Sequence, residues 1–446
     1  MSFSAASLRA VLEAQAPVDA TGLVVALSGG ADSANLLAAA ASLKGSLRGL
    51  NVRAVHVDHG LQFAAAAFRE ACAGLCRSFG VPLTVLSLVV RAPQGASIEA
   101  AARDARYAAL AAELKPGECL LTAHHSEDQA ETLLLQALRG AGLKGLSAMP
   151  LCRPLGLGWH LRPVLEISQG ELLAFSAHLS GASAADPMNV DSRFDRSYLR
   201  HQVWPLLEAR WPGAGATLAR AARHAGEAQA LLEAAAAADV SRLVDGDALS
   251  VPGLRGLTPH ARINALRFWL SEAGVDVPPA ARLTEALRQM LDAQIDHLPA
   301  VVWGSHALRR YRQRIFLTAA DPLRLEGHRP WSSGCDAGLD LGTDLGELHW
   351  VAQAGGLDSA CLPQTLVVRR REGGESLKPG LQARTQTVQH LCQSQGVLPW
   401  MRDALPLVFA GEALIAIGDL WLDARHRVAA GAPGIAIRWQ RAPIIV

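Results

Sequence analysis

The sequence has few of the features that mark secreted, disulfide-linked or membrane-spanning proteins. Its seven cysteines are odd in number and scattered, no Cys-x-x-Cys occurs, and Cys72 and Cys76 lie one helical turn apart. This usage argues against a disulfide framework and predicts a reduced, cytoplasmic protein. No apolar run reaches about 18 residues without a charge, glycine or proline, and no basic-then-apolar leader is present. We therefore expect neither secretion nor a membrane anchor.

An excess of charge of one sign is also absent, because 42 basic and 41 acidic residues leave a net charge of +1. This balance excludes a strongly polybasic protein but leaves room for a local basic surface. Only four of the 42 basic residues are lysine. Such a surface would therefore consist of arginine, which makes forked contacts with phosphate. With 446 residues, half of them hydrophobic, the chain is long enough for roughly three domains.

Strand-like and helix-like segments alternate in the first part of the chain. Apolar strands are predicted at 23–27, 52–57, 83–89 and 118–122, and Ala-rich helices at 34–43, 64–79 and 98–114. This alternation predicts an α/β fold with a doubly wound, mostly parallel sheet. In such a sheet, ligands bind at the C-terminal ends of the strands.

The character of the chain changes near residue 211. The next segment begins with an Ala-rich amphipathic helix at 214–238 and ends in Arg-rich strands, and it predicts a mainly helical domain. A Gly-rich linker precedes a last segment in which β-like runs and one helix predict a small α+β domain. The expected domains are 1–210, 211–330 and 347–446.

The most informative motif lies between the first predicted strand and the first helix: Ser28-Gly29-Gly30-Ala31-Asp32-Ser33. Glycines let the backbone approach an anion, and a helix N-terminus directs N–H groups and a positive dipole towards it. The spacing fits neither the Walker loop nor Gly-x-Gly-x-x-Gly. The same residues also suit an ordinary turn in which Asp32 and Ser33 cap the helix. The motif therefore needs support from elsewhere in the chain.

Two further polar clusters follow predicted strands. The second strand ends in His56, Asp58 and His59. Residues at that position border a nucleotide or lie exposed in a turn. After the fourth strand, His124, Asp128 and Glu131 are spaced i, i+4 and i+7 on one helical face. The two carboxylates suit Mg²⁺ or an amine better than zinc, because no third nitrogen or sulfur ligand is evident.

Arginines cluster in three places: Arg196 and Arg200, Arg309 and Arg310, and Arg369 and Arg370. The first pair is spaced i, i+4 on a predicted helix, and the other two pairs lie in strand-like runs. Each pattern is typical of contact with nucleic-acid phosphates, and equally of a solvated charged face. The sequence alone leaves both interpretations open.

The sequence resembles the tRNA(Ile)-lysidine synthetase family of PP-loop ATP pyrophosphatases in six segments that occur in order: SGGADS, HVDHGL, SIEAAARDARYAAL, TAHHSEDQAETLLLQALRGAGLKGL, RPVLEIS and DPMNVDSRFDRSYLR. The resemblance resumes near the C-terminus in VVRRREGGESLKP, GVLPWMRDALPLVF and IAIGDLWL. The middle region is similar only in length and helical character. One departure is Glu127, where the family pattern usually has aspartate.

The resemblance implies an adenine nucleotide α-hydrolase-like PP-loop fold and a two-step ligation. ATP adenylates the ring carbonyl of the wobble cytidine in a CAU-anticodon isoleucine tRNA and releases pyrophosphate. Free L-lysine then attacks ring position 2 through its ε-amine and expels AMP. The product, lysidine, switches codon reading from AUG to AUA. Mg²⁺ is the implied cofactor, and family members can be homodimers.

The resemblance also implies roles for individual residues. The catalytic residues would be Asp32, His124, Asp128 and Glu131. Of these, Asp32 would also bind the metal, and Asp128 and Glu131 would bind the lysine ammonium. The ATP-binding residues would be Ser28, Gly29, Gly30, Ala31, Asp32, Ser33, His56, Asp58 and His59. The tRNA-binding residues would be Arg196, Arg200, Arg309, Arg310, Arg369 and Arg370.

Two other functions compete with this interpretation. The first is a PP-loop tRNA thiolase, which normally needs cysteines near the site to carry sulfur or an iron–sulfur cluster. No cysteine of this sequence belongs to a suitable pair. The second is a nucleotide-binding RNA module without chemistry. The presence of Asp32, His124, Asp128 and Glu131 together argues against a degenerate site.

Overall fold

The computed structural model describes residues 3–47, 49–58, 65–88, 98–175, 195–294, 297–333 and 338–443. The chain forms two compact units, Met1–Leu232 and Glu233–Val446. Within the described residues, no helix is both long enough and apolar enough to cross a bilayer. The three-domain division drawn from the sequence remains a prediction.

The first unit consists of alternating strands and helices. In chain order, its elements are α1 (Ala5–Gln15), β1 (Gly22–Ala26), α2 (Ala31–Ser42), β2 (Asn51–Asp58), α3 (Ala65–Phe79), β3 (Leu83–Ser87), α4 (Ile98–Glu113), β4 (Glu118–Leu121), α5 (Ser126–Leu138), α6 (Leu143–Leu146), β5 (Cys152–Leu155), β6 (Gly158–Leu161), α7 (Gln169–Ala174), α8 (Asp195–Tyr198) and α9 (Trp204–Arg210). A π-helical turn, Leu199–Val203, joins α8 to α9.

The six strands described in this unit form one sheet in the order β3-β2-β1-β4-β6-β5. All neighbours are parallel except β5 and β6. The predicted doubly wound, mostly parallel sheet is therefore confirmed. Because β1 lies between β2 and β4, the chain reverses its winding direction there and opens a crevice at the C-terminal ends of β1 and β4.

Both faces of the sheet are covered at its central strand β1, which is apolar along its length. Leu23 and Val25 of β1 pack in one core with Leu36 of α2, while Val24 packs on the opposite face with Leu110 of α4. Each such side chain contributes roughly 1.5–3 kcal/mol through burial. This packing gives the loops at the strand ends a rigid scaffold.

A long helix, α10 (Ala214–Leu243), contains the boundary between the two units. The elements that follow are β7 (Val244–Asp245), β8 (Ala248–Ser250), α11 (Val251–Gly256), α12 (Pro259–Glu272), α13 (Ala280–Asp292), β9 (Ala300–Trp303), β10 (His306–Tyr311) and β11 (Arg314–Ala319). Their strands form an antiparallel sheet in the order β7-β8-β11-β10-β9. Apolar residues of α11, α12 and α13 share a core with this sheet.

The C-terminal part of the second unit is mainly β. Its elements are β12 (His328–Ser332), β13 (Leu339–Asp340), β14 (Glu347–Leu357), β15 (Thr365–Arg369), β16 (Ser376–Leu377), β17 (Gln386–Thr387), α14 (Val388–Gln395), β18 (Leu407–Ala410), β19 (Ala413–Ile417), β20 (Trp421–Leu422) and β21 (Ile435–Gln440). The described strands form sheets in the orders β12-β15-β18-β19-β20, β13-β14-β21 and β16-β17. Together with α14 they give the small α+β fold expected for this segment.

Candidate active site

Residues 28–33 form the turn between β1 and α2. Gly29 has a φ of 92°, and a Cβ added to it would lie 2.6 Å from Phe68 Cδ1. The turn is held by Ser28, whose N–H donates to Ser33 Oγ at 3.1 Å and whose Oγ lies 3.0 Å from the same atom. Helix α2 begins after Gly30 without a side-chain cap. Its first N–H groups are therefore placed to bind an anion.

We predict that Gly29→Ala destabilises the protein by about 1–3 kcal/mol, because an L-residue at this φ is strained and the new methyl group meets Phe68. Gly30→Ala is the matched control. Gly30 has a φ of −84°, and the nearest atom to its added Cβ is Ser28 Oγ at 3.5 Å. Urea unfolding measures both changes. Equal free energies of unfolding in the two variants would contradict the constraint assigned to Gly29.

The polar residues at the end of β2 support this turn. The buried His56 donates from Nδ1 to the Leu27 carbonyl at 2.8 Å. Asp58 accepts a 2.6 Å hydrogen bond from Arg69 Nη2. His56 therefore links the ends of β1 and β2 beside the anion-binding turn. His59 lies outside the described residues, and contact of these three residues with ATP remains a prediction.

His125, which the sequence analysis did not single out, is the histidine that approaches Asp32. Its Nδ1 lies 2.9 Å from Glu127 Oε2, and its Nε2 lies 3.3 Å from Asp128 Oδ2 and 3.9 Å from Asp32 Oδ2. Burial lowers the pKa of His125, but the Glu127 hydrogen bond and the charges of Asp128 and Asp32 outweigh it, so the pKa is raised. The sequence does contain a signal for the contact between His125 and Asp128. A polar residue three positions before an acid at the start of a helix is typical of a capping box.

Glu127 reaches further than the aspartate of the family pattern would. Its Oε2 accepts hydrogen bonds from His125 Nδ1, from Ser126 Oγ at 3.0 Å and from the Gln169 backbone N–H at 2.9 Å. Burial raises the pKa of Glu127, but these donors outweigh it and the pKa is lowered. Glu127 therefore stays ionised and orients His125 while tying the start of α7 to α5.

One carboxylate oxygen of Asp32 lacks a hydrogen-bond donor among the described residues. Its Oδ1 is buried without a hydrogen-bond partner among the described residues, while Oδ2 lies 3.5 Å from Gln169 Nε2. Burial is the main cause of the raised pKa of Asp32. A buried orphan carboxylate oxygen is costly unless a cation satisfies it, and Mg²⁺ prefers oxygen ligands. The site therefore fits Mg²⁺.

The rest of a magnesium coordination sphere does not come from clustered side chains. Among the described residues, no group of three His, Cys, Asp or Glu side chains is arranged to hold a metal ion. Mg²⁺ sites in phosphate-handling enzymes commonly use one or two carboxylates together with substrate phosphates and water. A single carboxylate beside an anion-binding turn is consistent with that type of site.

Asp128 and Glu131 share two arginines that α8 and the following turn bring to α5. Arg196 Nη2 and Arg200 Nη2 each lie 3.0 Å from Asp128 Oδ1. Their Nε atoms donate to Glu131 at 2.8 and 2.7 Å, and Glu131 is 2% exposed. The structure thus pairs Arg196 and Arg200 with the acids, where the sequence analysis expected a tRNA contact. Spacing along the chain carried no sign of this pairing, because the partners are more than 60 residues apart.

His124 lies in different surroundings from His125. Its Nδ1 is 2.8 Å from Thr122 Oγ1, which is also 2.8 Å from His160 Nε2. Burial, offset only in part by Asp128, lowers the pKa of His124 to about 3. His124 is therefore a neutral ring at neutral pH, and its predicted catalytic role is limited to a neutral donor or acceptor.

An arginine-lined cleft of about 540 Å³ adjoins these residues. Arg103, Arg153 and Arg162 line it together with Tyr107. The guanidinium carbons of Arg103 and Arg153 lie 5.2 and 5.4 Å from the centre of the Tyr107 ring. Sequence spacing did not reveal this grouping, because Arg103 belongs to α4, Arg153 to β5 and Arg162 follows β6.

Arg310 has a structural role instead of the expected tRNA contact. Its side chain is only 2% exposed, and Nη1 donates to the carbonyls of Met290 at 2.7 Å and Ala293 at 3.0 Å. These carbonyls belong to the last turn of α13 and the residue after it, where helical partners are missing. The guanidinium caps the C-terminus of α13 and is not accessible to phosphate.

We expect Arg310→Met to lower the free energy of unfolding by about 2 kcal/mol, because buried carbonyls lose charge-assisted donors. Arg370→Met is the control. The Arg370 side chain is 41% exposed and lies 3.8 Å from Glu326, so its loss should change stability by no more than about 0.5 kcal/mol. Chemical unfolding and tRNA filter binding of both variants test this. A variant of Arg310 that kept full stability but lost tRNA affinity would contradict the capping role.

The other predicted tRNA-contacting arginines are only partly committed within the protein. Arg309 donates to Thr318 Oγ1 at 3.0 Å, and its guanidinium carbon lies 5.9 Å from the centre of the Trp400 ring. Arg369 stacks on Phe409 at 4.2 Å and pairs with Glu375 at 3.0 Å. The Arg370 side chain is 41% exposed, compared with 17% for Arg369. Contact of these residues with tRNA remains a prediction.

Comparison with protein-family models agrees with this layout. Residues 4–207 match the PP-loop domain. Residues 249–316 match the TilS substrate binding domain, and residues 366–439 match the TilS substrate C-terminal domain. The parallel sheet, the glycine turn after β1 and the first of these matches define the chain as an ATP-using PP-loop enzyme.

Curated relatives identify the family within that class. The tRNA(Ile)-lysidine synthase of Alkalilimnicola ehrlichii is 40% identical, and the match covers 90% of each chain. The tRNA(Ile)-lysidine synthase of Methylococcus capsulatus is 36% identical over 93% of this chain and 95% of its own. That of Pseudomonas putida is 39% identical over 89% and 92%. The chain belongs to the tRNA(Ile)-lysidine synthase family.

Proposed function

We propose that this protein is an ATP-dependent carbon–nitrogen ligase that joins L-lysine to ring position 2 of the wobble cytidine in CAU-anticodon isoleucine tRNA. One observation carries the proposal: His125 connects Asp32, beside the anion-binding turn, to the Asp128–Glu131 pair. A nucleotide site and a cation-binding acid pair therefore lie at one crevice. Lysidine formation needs both, because ATP must activate the cytidine before the amine attacks.

In the first step, the turn at residues 28–33 binds the leaving pyrophosphate. The N–H groups at the start of α2 and its dipole stabilise the negative charge that passes to the β-phosphate. The cytidine carbonyl oxygen bonds to the α-phosphorus while the bond to the β-phosphate oxygen breaks. Asp32 is the residue that would hold Mg²⁺, whose chemical contribution is to offset charge across the phosphates.

In the second step, Asp128 and Glu131 bind the lysine ammonium. The ammonium must replace some of the guanidinium contacts made now by Arg196 and Arg200, since these occupy both carboxylates. One carboxylate accepts the proton that the ε-amine loses, the amine bonds to the ring carbon, and AMP leaves with the carbonyl oxygen. His125 keeps Asp128 oriented, because its Nε2 and backbone N–H both face Asp128 Oδ2.

The tRNA is recognised through phosphate contacts that include Arg309, Arg369 and Arg370, in the part of the chain that matches the two substrate-domain models. Activity on tRNA also implies that the protein works in the cytoplasm. The proposal is compatible with a homodimer, as the family resemblance suggests. Analytical ultracentrifugation of the purified protein decides between monomer and dimer.

The cysteines near the turn do not suit sulfur transfer, which is the alternative chemistry for a PP-loop tRNA enzyme. Cys72 Sγ lies 3.5 Å from His56 Nδ1, so this thiol is close to the strand ends. Burial, however, raises the pKa of Cys72 to about 12 and that of Cys76 to about 11. Neither supplies a thiolate at neutral pH, and the thiolate is the reactive form.

Pyrophosphate release tests the first half of the proposal. The protein should release pyrophosphate from ATP when a CAU-anticodon isoleucine tRNA transcript is added without lysine, because adenylation precedes lysine attack. A matched transcript with uridine at the wobble position is the control and should give only background release. Equal release with both transcripts would contradict adenylation of the wobble cytidine.

A further inference from the structure

Four side chains form a hydrogen-bonded chain that leads from the arginine-lined cleft to His124. Arg153 Nε lies 3.5 Å from His160 Nδ1, and His160 Nε2 lies 2.8 Å from Thr122 Oγ1. Thr122 Oγ1 in turn lies 2.8 Å from His124 Nδ1. His160 is fully buried, and Thr122 is anchored between β4 and β6 by its N–H, which donates to the Leu161 carbonyl. The chain is therefore fixed in place by the sheet.

The guanidinium at one end sets the direction of every bond in this chain. An arginine N–H can only donate, so His160 Nδ1 accepts and carries no proton. The single proton of a neutral His160 ring then sits on Nε2, which donates to Thr122 Oγ1. The hydroxyl has one proton, and among the described residues His124 Nδ1 is the acceptor that lies within hydrogen-bond distance of it. His124 Nδ1 thus accepts, which leaves the proton of a neutral His124 on Nε2.

The surroundings keep both histidines neutral, as this argument requires. Burial and the nearby positive charge of Arg162 lower the pKa of His160 to about 2. The pKa of His124 is lowered to about 3, again mainly by burial, despite the opposing charge of Asp128. Neither ring competes for a second proton at neutral pH.

We propose that Arg153, His160 and Thr122 are positioning residues that hold His124 in the neutral tautomer with its proton on Nε2. The functional part of this inference rests on the proposed ligation. His124 lies three residues after the end of β4, at the crevice, so its Nε2–H is placed to donate a hydrogen bond to an oxygen that gains charge as AMP forms or leaves. A neutral imidazole donor stabilises such an oxygen while keeping its own proton.

The test combines a spectroscopic readout with a kinetic one, using the full-length protein. Nitrogen-15 NMR of labelled histidine rings, assigned through His124→Gln, reports which ring nitrogen carries the proton. Thr122→Val removes the hydroxyl without changing the side-chain shape, Thr122→Ser restores it, and Arg153→Met removes the donor that sets the direction. We call the hydrogen-bonded series from Arg153 to His124 the relay. Thr21→Val is the matched control, because it loses one hydrogen bond to the Pro116 carbonyl and Thr21 is not part of the relay.

We expect an Nε2 proton on His124 in the parent protein, in Thr122→Ser and in Thr21→Val, and a mixture of tautomers in Thr122→Val and Arg153→Met. The kcat for lysine incorporation should fall about tenfold in the last two with KM values unchanged, less than the loss of an entire transition-state donor. An Nδ1 proton on His124 in the parent, or an unchanged tautomer in both disruptive variants, would overturn the relay. If the parent protein carries the His124 proton on Nε2 but incorporates no lysine, the proposed ligation is overturned and the relay is supported.

Discussion

Asp128→Asn should leave tRNA-dependent pyrophosphate release close to the parent value while lowering lysine incorporation roughly 10²- to 10⁴-fold, the usual range for loss of an acid–base group. Asparagine keeps the shape of the side chain but cannot accept the amine proton or balance an ammonium charge. No hydrogen bond joins this carboxylate directly to residues 28–33, so adenylation should survive.

Retained adenylation is also the folding control in this experiment, because it requires an intact crevice. Asp195→Asn is the matched substitution elsewhere. Asp195 pairs with Arg139 at 3.3 Å, and its side chain is 74% exposed, so neither step should change. Equal loss of adenylation and lysine transfer in Asp128→Asn would contradict the assignment of Asp128 to the second step.

Asp32→Asn, in contrast, should impair both steps. Loss of the metal-binding carboxylate removes several kcal/mol of charge stabilisation, which corresponds to a decrease of roughly 10²- to 10³-fold in the rate of pyrophosphate release. Lysine incorporation should fall in parallel, because no adenylate accumulates. Steady-state pyrophosphate release over a range of Mg²⁺ concentrations measures this effect.

The stability of Asp32→Asn separates a functional role from a structural one. The pKa of Asp32 is raised in the folded protein, mainly by burial. At neutral pH the folded state therefore holds the ionised carboxylate less favourably than the unfolded state does, and a neutral isostere removes that cost. The free energy of unfolding, measured without Mg²⁺, should be unchanged or higher. A marked loss of stability would show that Asp32 is a structural residue.

The order of elements in the first unit could be predicted because each element carries its own local signal. Strands β1 to β4 are short apolar runs, and the helices between them are Ala-rich, so alternation alone indicated the parallel sheet. The antiparallel pair β5–β6 gave no comparable signal. Its residues 152–161 include one proline and two glycines within ten positions, which does not resemble a buried strand.

The candidate site was predicted less completely, because its key contacts join distant parts of the chain. The turn at residues 28–33 and the acids of α5 are local motifs that spacing can reveal. The pairing of Arg196 and Arg200 with those acids depends on where α8 packs, and the burial of Arg310 depends on the end of α13. Only tertiary structure shows that these arginines are already occupied, and only it separates the surroundings of His124 from those of His125.

Incorporation of labelled lysine into a CAU-anticodon isoleucine tRNA transcript, with and without ATP, tests the central claim most directly. The account predicts incorporation at the wobble cytidine that depends fully on ATP and is lost in Asp128→Asn. Pyrophosphate release on addition of tRNA without any lysine incorporation would contradict it, and would show that the activated cytidine is attacked by a nucleophile other than lysine.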